Sequence, residues 1–130
     1  MLLLDTCAWL WYATEANQEW STAARKQLRT AERLYVSVIS AWEIANLVAR
    51  GRITLACDVD TWISQAVVLP KIELVPLSLK IAIESTRLPG EFHKDPGDRM
   101  LVATARALGE PILTPDKRIR EYPDVRSVWW

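Results

Sequence analysis

A small α/β fold, with a twisted and mostly parallel sheet held between helices, follows from three features of this sequence. Apolar runs of strand length alternate with segments of helical period along the chain. The first run, Leu2-Leu3-Leu4, is continuous and stops at Asp5, the pattern of a strand buried on both faces of a parallel sheet. No internal repeat, low-complexity stretch or Gly/Ser linker divides the 130 residues, and half of them are apolar, so residues 1–130 read as a single domain with one packed core.

After the first strand, helices are expected over about Ala8 to Ala13 and about Glu19 to Glu32. In the second, Trp20, Ala23, Ala24, Gln27 and Leu28 share a face opposite Arg25, Lys26, Arg29 and Arg33. Leu34 to Val38 is the second strand. Ser40-Ala41-Trp42-Glu43 matches the S-x-x-E capping box and opens a helix to about Arg50 that stops at Gly51. Asp58 to Leu69 is a further helix, ended by Pro70. Ile72 to Leu77 reads as an edge or bent strand because Pro76 interrupts it. Ser78 caps a helix through about Arg87, and Leu88 to Lys94 is loop. Asp95 followed by Pro96 is a strong start for a helix to Leu108, closed by Gly109. Pro111 to Thr114 is a strand, Lys117 to Glu121 a short helical turn, and Val125 to Trp129 the last strand.

Composition narrows the function. Sixteen Lys and Arg against sixteen Asp and Glu give zero net charge, which excludes holding nucleic acid by bulk positive field. A local basic stripe remains open, and any polyanion must be held by something focused. No apolar run approaches the roughly 18 residues of a spanning helix. Met1 to Leu4 meets Asp5 too early for a signal-peptide core, so the chain reads as cytoplasmic with no membrane partner. Cys7 and Cys57 make no disulfide framework or zinc spacing and read as small buried hydrophobes. Seven tryptophans are many for this length, and several suit an interface.

The acids carry the most information. Asp5 follows the first strand, Glu43 the second, Asp95 and Asp98 begin a helix, and Asp116 follows Ile112-Leu113-Thr114. In open parallel sheets that rim, outside the carboxyl ends of the strands, is where ligands bind. Like charges about 4 Å apart repel by on the order of 4 kcal/mol at a surface-like dielectric. Such a cluster must take up protons or bind a cation, and a set of carboxylate oxygens suits Mg2+ or Mn2+ rather than zinc. An ion of that kind, with open positions, performs phosphoryl-transfer chemistry and supplies the positive focus that a net-neutral chain lacks.

Each acid also has a structural explanation. Asp5 would cap the helix near Ala8, Glu43 would be the partner of Ser40 in the capping box, and Asp116 would be a turn residue after Pro115. Asp95 is best explained as an N-cap, and Asp98 suits the dipole of the same first turn. Caps explain the acids one by one, but not their convergence on one rim.

Other groups are weaker candidates. Arg99 suits a structural role against a carboxylate or the helix. His93, the one histidine, reads as a loop residue flanking the site, since no Ser or Cys beside it forms a nucleophile elbow. Cys7 lies two residues from Asp5. Arg50, Arg52, Lys94, Lys117 and Arg118 would contact phosphates of a polyanion or simply be solvated. Of Trp9, Leu10, Trp11 and Tyr12, a core accounts for two, and the others suit a partner peptide in a groove. Four glycines contain no G-x-G-x-x-G or P-loop pattern, which disfavours nucleotide binding. A phosphoacceptor receiver would need paired acids after the first strand, where Thr6-Cys7 stands instead.

Four segments together resemble the PIN-domain ribonucleases, in particular the small VapC-type toxins of toxin–antitoxin pairs. They are Leu2 to Thr6, Ser37 to Ala45, His93 to Ala105 and Ile112 to Ile119, and the resemblance runs in order along essentially the whole chain. It implies a three-layer α/β/α sandwich with a mostly parallel central sheet, usually a homodimer. It also implies an endoribonuclease toxin dependent on Mg2+ or Mn2+ and neutralised by a cognate antitoxin whose tail commonly places a basic side chain in the acidic pocket. Asp5, Glu43 and Asp98 would hold the metal and Asp116 would complete the quartet. Asp95 would orient the loop. Thr114 looks like the hydroxyl beside the last acid, and Thr6 occupies the polar place after the first, with Ser40 and Arg99 in support. A water attacking the RNA phosphodiester in line would leave a 5′-phosphate and a 3′-hydroxyl. Pro115 departs from the commoner Ala or Asn and could alter the angle of Asp116. The competing reading is a PIN-like module that binds RNA or protein without cutting it. Neither the RNA nor the number of ions follows from spacing.

Overall fold

The computed structural model describes residues 1–14 and 20–129. Its five strands are β1 (Leu2–Leu4), β2 (Leu34–Ser37), β3 (Ile72–Val75), β4 (Ile112–Leu113) and β5 (Ser127–Val128). They form one sheet in the order β3-β2-β1-β4-β5, and every neighbouring pair is parallel. Parallel neighbours need crossovers, which the helices supply: α1 (Thr6–Thr14) and α2 (Thr22–Thr30) after β1, α3 (Val38–Ala49) and α4 (Val59–Ala66) after β2, α5 (Leu79–Glu84) and α6 (Pro96–Leu108) after β3, and α7 (Lys117–Arg120) after β4. The Pro76-interrupted strand lies at the sheet edge, as expected, because proline ends its ladder.

Alternation along the strands sorts the core into two layers. Leu2, Leu4, Leu34, Val36 and Leu113 pack with Ala8, Trp9, Ala24, Ile44, Trp62 and Ala66. Leu3 and Ile112, from the other face of the same strands, pack with Ile81, Leu101, Val102 and Ile119. Helices therefore cover both faces, giving the α/β/α sandwich, and the central strands β1 and β4 are apolar at every position because neither face meets water. Trp9 is fully buried and donates its indole N–H to the Ala66 carbonyl at 3.2 Å. Trp11 stacks edge-on against Trp20 and packs on Trp129, while Leu10, Trp11 and Tyr12 lie half-buried against the core.

The helix starts follow their caps, with two differences from expectation. Asp95 accepts from Gly97 N at 2.9 Å ahead of Pro96, and Gly109 closes α6 at φ 68°, a left-handed conformation that glycine adopts without a side-chain clash. Asp58 and Ser78 cap α4 and α5. The capping box at Ser40 and Glu43 does not form. The N-cap of α3 is Ser37, the last residue of β2, whose hydroxyl accepts from Ile39 N at 3.1 Å. Strand passes into helix with no loop, so Ser40 sits inside the first turn, fully buried, and Glu43 is free of any capping duty. The predicted helix beginning near Glu19 starts at Thr22, capped by Ser21; Glu19 itself lies outside the described residues. The cysteine reading is also corrected. Cys57 is exposed in the connection before α4 and Cys7 is half-buried on α1.

Candidate active site

In this strand order the chain leaves β1 first towards β2 and later towards β4, so the topological switch point lies between β1 and β4. There the two crossovers diverge and leave a crevice at the carboxyl ends of the strands. Asp5 follows β1 and Asp116 lies three residues beyond β4, so the two acids flank that crevice. Glu43 reaches it from the second turn of α3 and Asp98 from the first turn of α6, two helices packed against each other.

Each acid is held by a specific donor. Asp5 Oδ1 accepts from Ala8 N at 2.7 Å and Asp5 Oδ2 from the Thr114 hydroxyl at 2.5 Å. The capping and functional readings of Asp5 thus coexist, one oxygen to each. Thr114 Oγ1 in turn accepts from Asp116 N at 3.0 Å, linking the acids across the switch point. Glu43 Oε1 accepts from the Thr6 hydroxyl at 2.6 Å, and Ser40 Oγ lies 3.0 Å from that same hydroxyl. Asp98 Oδ2 faces His93 Nε2 at 3.1 Å and an Arg118 Nη at 3.5 Å. Asp116 caps α7 by accepting from Arg118 N at 2.8 Å and also meets the Arg118 guanidinium at 3.3 Å.

Two sequence-level assignments resolve structurally. Arg99 makes no carboxylate pair among the described residues: its guanidinium donates to the carbonyls of Ser85, Phe92 and His93 at 2.8, 3.0 and 3.2 Å, tying the preceding loop to α6. Asp95 serves as the N-cap. His93, expected only to flank the site, is brought into it. Its Nδ1 faces the Asp95 backbone N–H at 3.4 Å, and its buried Nε2 lies against Asp98 at an angle that makes no hydrogen bond.

Electrostatics follow from this packing. Burial pushes the Asp5 carboxyl up to about 6, against the Thr114 and Ala8 hydrogen bonds and with added repulsion from Asp116 and Glu43. Burial, then the charges of Asp95, Asp116 and Glu43, pushes Asp98 up to about 7 despite Arg118. Glu43 is raised by burial, opposed by Thr6 and reinforced by Asp95. Asp116 goes the other way: burial opposes its charge, but the hydrogen bonds and charge of Arg118 outweigh it. Burial and the neighbouring Arg118 charge keep the His93 imidazole below its ordinary value, hence neutral.

Gly97 is a site residue that motif reading passed over. A Cβ there would stand 2.7 Å from Glu43 Oε2, so only a bare backbone lets α6 start this close to that carboxylate. The available signal was a glycine in the first turn of a helix, where it costs up to about 1 kcal/mol relative to alanine and so asks for a compensating role.

Among the described residues no three acid, imidazole or thiol groups already stand as a closed metal cage. The donor set nevertheless fits a hard divalent ion: it is made of carboxylate oxygens, and two of its members, Asp5 and Asp98, are buried where their ionised form is disfavoured.

Fold and rim together define an α/β protein whose parallel sheet presents converging acids at its switch point. A sequence model of the PIN domain matches residues 2–125, and the chain belongs to the PIN domain family. It is 34% identical over 127 residues to Ribonuclease VapC22 of Mycobacterium tuberculosis, covering 98% of this chain and 95% of that protein. Among solved structures, DNA-bound VapBC from Salmonella typhimurium superposes with a TM-score of 0.69 at 18% identity, covering 98% of each chain. A toxin–antitoxin complex from Klebsiella pneumoniae superposes at 0.63 and 18% identity, covering 98% of this chain and 96% of the other. These structural likenesses support the three-layer fold.

Proposed function

We propose that this PIN domain is an endoribonuclease toxin that hydrolyses RNA phosphodiester bonds with the help of Mg2+ or Mn2+ and is neutralised by a cognate antitoxin. The observation that carries the reading is the mutual electrostatic influence of Asp5, Glu43, Asp98 and Asp116 around the switch point, with the ionisation of Asp5 and Asp98 opposed by burial. The similarity to a ribonuclease over nearly the whole chain supports the choice of RNA as substrate.

Asp5, Asp98 and Glu43 would hold the ion, with Asp116 completing the set. The bound ion supplies an activated water and offsets charge on the attacked phosphate and leaving oxygen. The chain's own part is orientation. Thr114 and the Ala8 N–H lock both oxygens of Asp5, Thr6 aims Glu43, and Arg99 pins the loop that brings His93 to Asp98. Pre-set carboxylates avoid the reorganisation that water would impose. The focused cation also answers how a net-neutral chain engages a polyanion.

Exposed apolar side chains, Val38 and Trp42 on α3 and Leu79 and Ile83 on α5, offer surface for protein partners, in keeping with an antitoxin and a second copy of the chain. No helix among the described residues is long and apolar enough to cross a membrane. We place the protein, as a single-domain toxin, in the cytoplasm.

The test is incubation of the purified chain with cellular RNA in Mg2+, with mapping of the cut ends. We expect cleavage with 5′-phosphate ends that stops with a chelator, is absent for Asp5→Asn, and is suppressed by the co-expressed antitoxin. Equal cleavage in the chelator, or by Asp5→Asn, overturns the reading.

A further inference from the structure

Arg118 pairs with two acids of the proposed metal site, and its placement is unlike that of its neighbours. One guanidinium nitrogen lies 3.5 Å from Asp98 Oδ2 and 3.3 Å from Asp116 Oδ2, spanning two acids that come from different crossovers. Lys117, one residue earlier, turns outward to Glu121 at 3.7 Å. Arg99, the other arginine at the site, is committed to three backbone carbonyls. The Arg118 side chain is 59% exposed, so packing does not fix it, and it can leave its two partners without opening the core.

We propose that Arg118 is a stand-in cation and then a substrate-binding residue: it neutralises Asp98 and Asp116 in the metal-free protein and, once a divalent ion takes those oxygens, turns to a phosphate of the RNA. The inference rests on the proposed metal-dependent reading of the site. Its first half is electrostatic competition. Asp98 Oδ2 cannot be fully available to an ion while it pairs with a guanidinium, so Arg118 must swing away. An exposed ion pair of this kind changes an equilibrium by no more than about fivefold, which a divalent ion readily overcomes. Its second half is charge conservation. A guanidinium that has lost both carboxylates stands at the mouth of the crevice just where an anionic phosphate must enter. Its planar fork of donors matches two phosphate oxygens better than an ammonium does.

The experiment uses the full chain and two probes. Calorimetric titration with Mn2+ alone compares wild type, Arg118→Ala, Arg118→Gln, Arg118→Lys and Asp5→Asn. Binding of a labelled single-stranded RNA of mixed sequence, with Ca2+ in place of Mg2+, is then measured against salt. We expect Mn2+ to bind Arg118→Ala and Arg118→Gln about twofold to fivefold more tightly than wild type. Arg118→Lys, which keeps the charge, stays near wild type. RNA binding by the Ala and Gln variants weakens, with the salt slope smaller by about 0.7 for one lost phosphate contact. Unchanged or weaker Mn2+ binding in both neutral variants overturns the proposal, as does unchanged RNA binding. Asp5→Asn, which leaves Arg118 and its partners intact, separates the two levels: if it binds Mn2+ as tightly as wild type, the metal-site reading falls and this inference with it.

Discussion

Thr114 donates its hydroxyl to Asp5 Oδ2 at 2.5 Å across the gap between β4 and β1, and Thr114 Oγ1 itself accepts from Asp116 N. One side chain therefore sets the direction of one acid and the backbone position of another. Thr114→Val keeps the shape and removes both bonds. Since a hydrogen bond to a charged group contributes about 1.5–3 kcal/mol, we expect a loss of roughly that size in unfolding free energy at pH 8. The Thr114 bond also lowers the Asp5 pKa, so its removal moves the acid limb of the cleavage profile to higher pH. Thr114→Ser, retaining the hydroxyl, should follow wild type in both measurements.

Asp5→Asn and Asp98→Asn should abolish cleavage while the protein stays folded, because each removes a charge the ion needs and neither removes packing volume. Both carboxyls are raised well above their ordinary value, so their ionised forms oppose folding in the metal-free protein. The variants should therefore melt no lower than wild type at pH 8 in a chelator, yet lose the stabilisation that Mg2+ confers on wild type. Asp95→Asn is the contrast: asparagine caps as well as aspartate, so melting and cleavage should both stay near wild type. Full activity in either Asp5→Asn or Asp98→Asn would remove those residues from the site.

Asp5 and Asp98 also make metal-free stability fall with rising pH, opposed by His93, whose folded-state value lies below the ordinary one. Their folded-state values, about 6 and about 7, lie above the ordinary 3.8, so between roughly pH 4 and 7 the folded chain holds protons that the unfolded chain has released. The stability these two groups contribute is fully present below about pH 4 and is lost as pH rises through 6 and 7. At about 1.4 kcal/mol per pKa unit, Asp5 alone accounts for a loss on the order of 3 kcal/mol. Melting in a chelator should accordingly fall from pH 5.5 to pH 8. Excess Mg2+ should flatten that fall, since the ion binds only the ionised carboxylates. A chelator-treated protein that melts higher at pH 8 than at pH 5.5 would contradict the burial of these charges.

How far the sequence alone could reach is clear from which features are local. The Asp95-Pro96 start and Gly109 stop of α6 are local signals, and they mark its ends correctly because a cap and a left-handed glycine depend on a few neighbouring backbone atoms. Asp5 and Asp116 were legible as strand-end acids for the same reason. The cap of α3 was not, since Ser37 and Ser40 both precede an apolar stretch and only the absence of a loop after β2 favours Ser37. The exposure of Cys57, the pairing of Arg118 with two acids and the approach of Gly97 to Glu43 all depend on which elements meet in space, about which residue spacing is silent.

Gly97→Ala tests that last contact most directly. The substitution adds only a methyl group, and the backbone there is not in the left-handed region, so helix propensity alone predicts a gain of up to about 1 kcal/mol. The methyl carbon would nonetheless stand 2.7 Å from Glu43 Oε2 and 2.8 Å from Glu43 Cδ, well inside contact distance. Glu43 is anchored at its other oxygen by Thr6, so the cheapest relief is to break that bond and turn the carboxylate out of the crevice. The expected result is a melting temperature within a few degrees of wild type together with cleavage reduced tenfold or more. Shortening the clashing side chain in Gly97→Ala/Glu43→Asp should restore part of the activity if the loss is steric. Cleavage by Gly97→Ala at the wild-type rate would mean that Glu43 has no fixed place in the reaction.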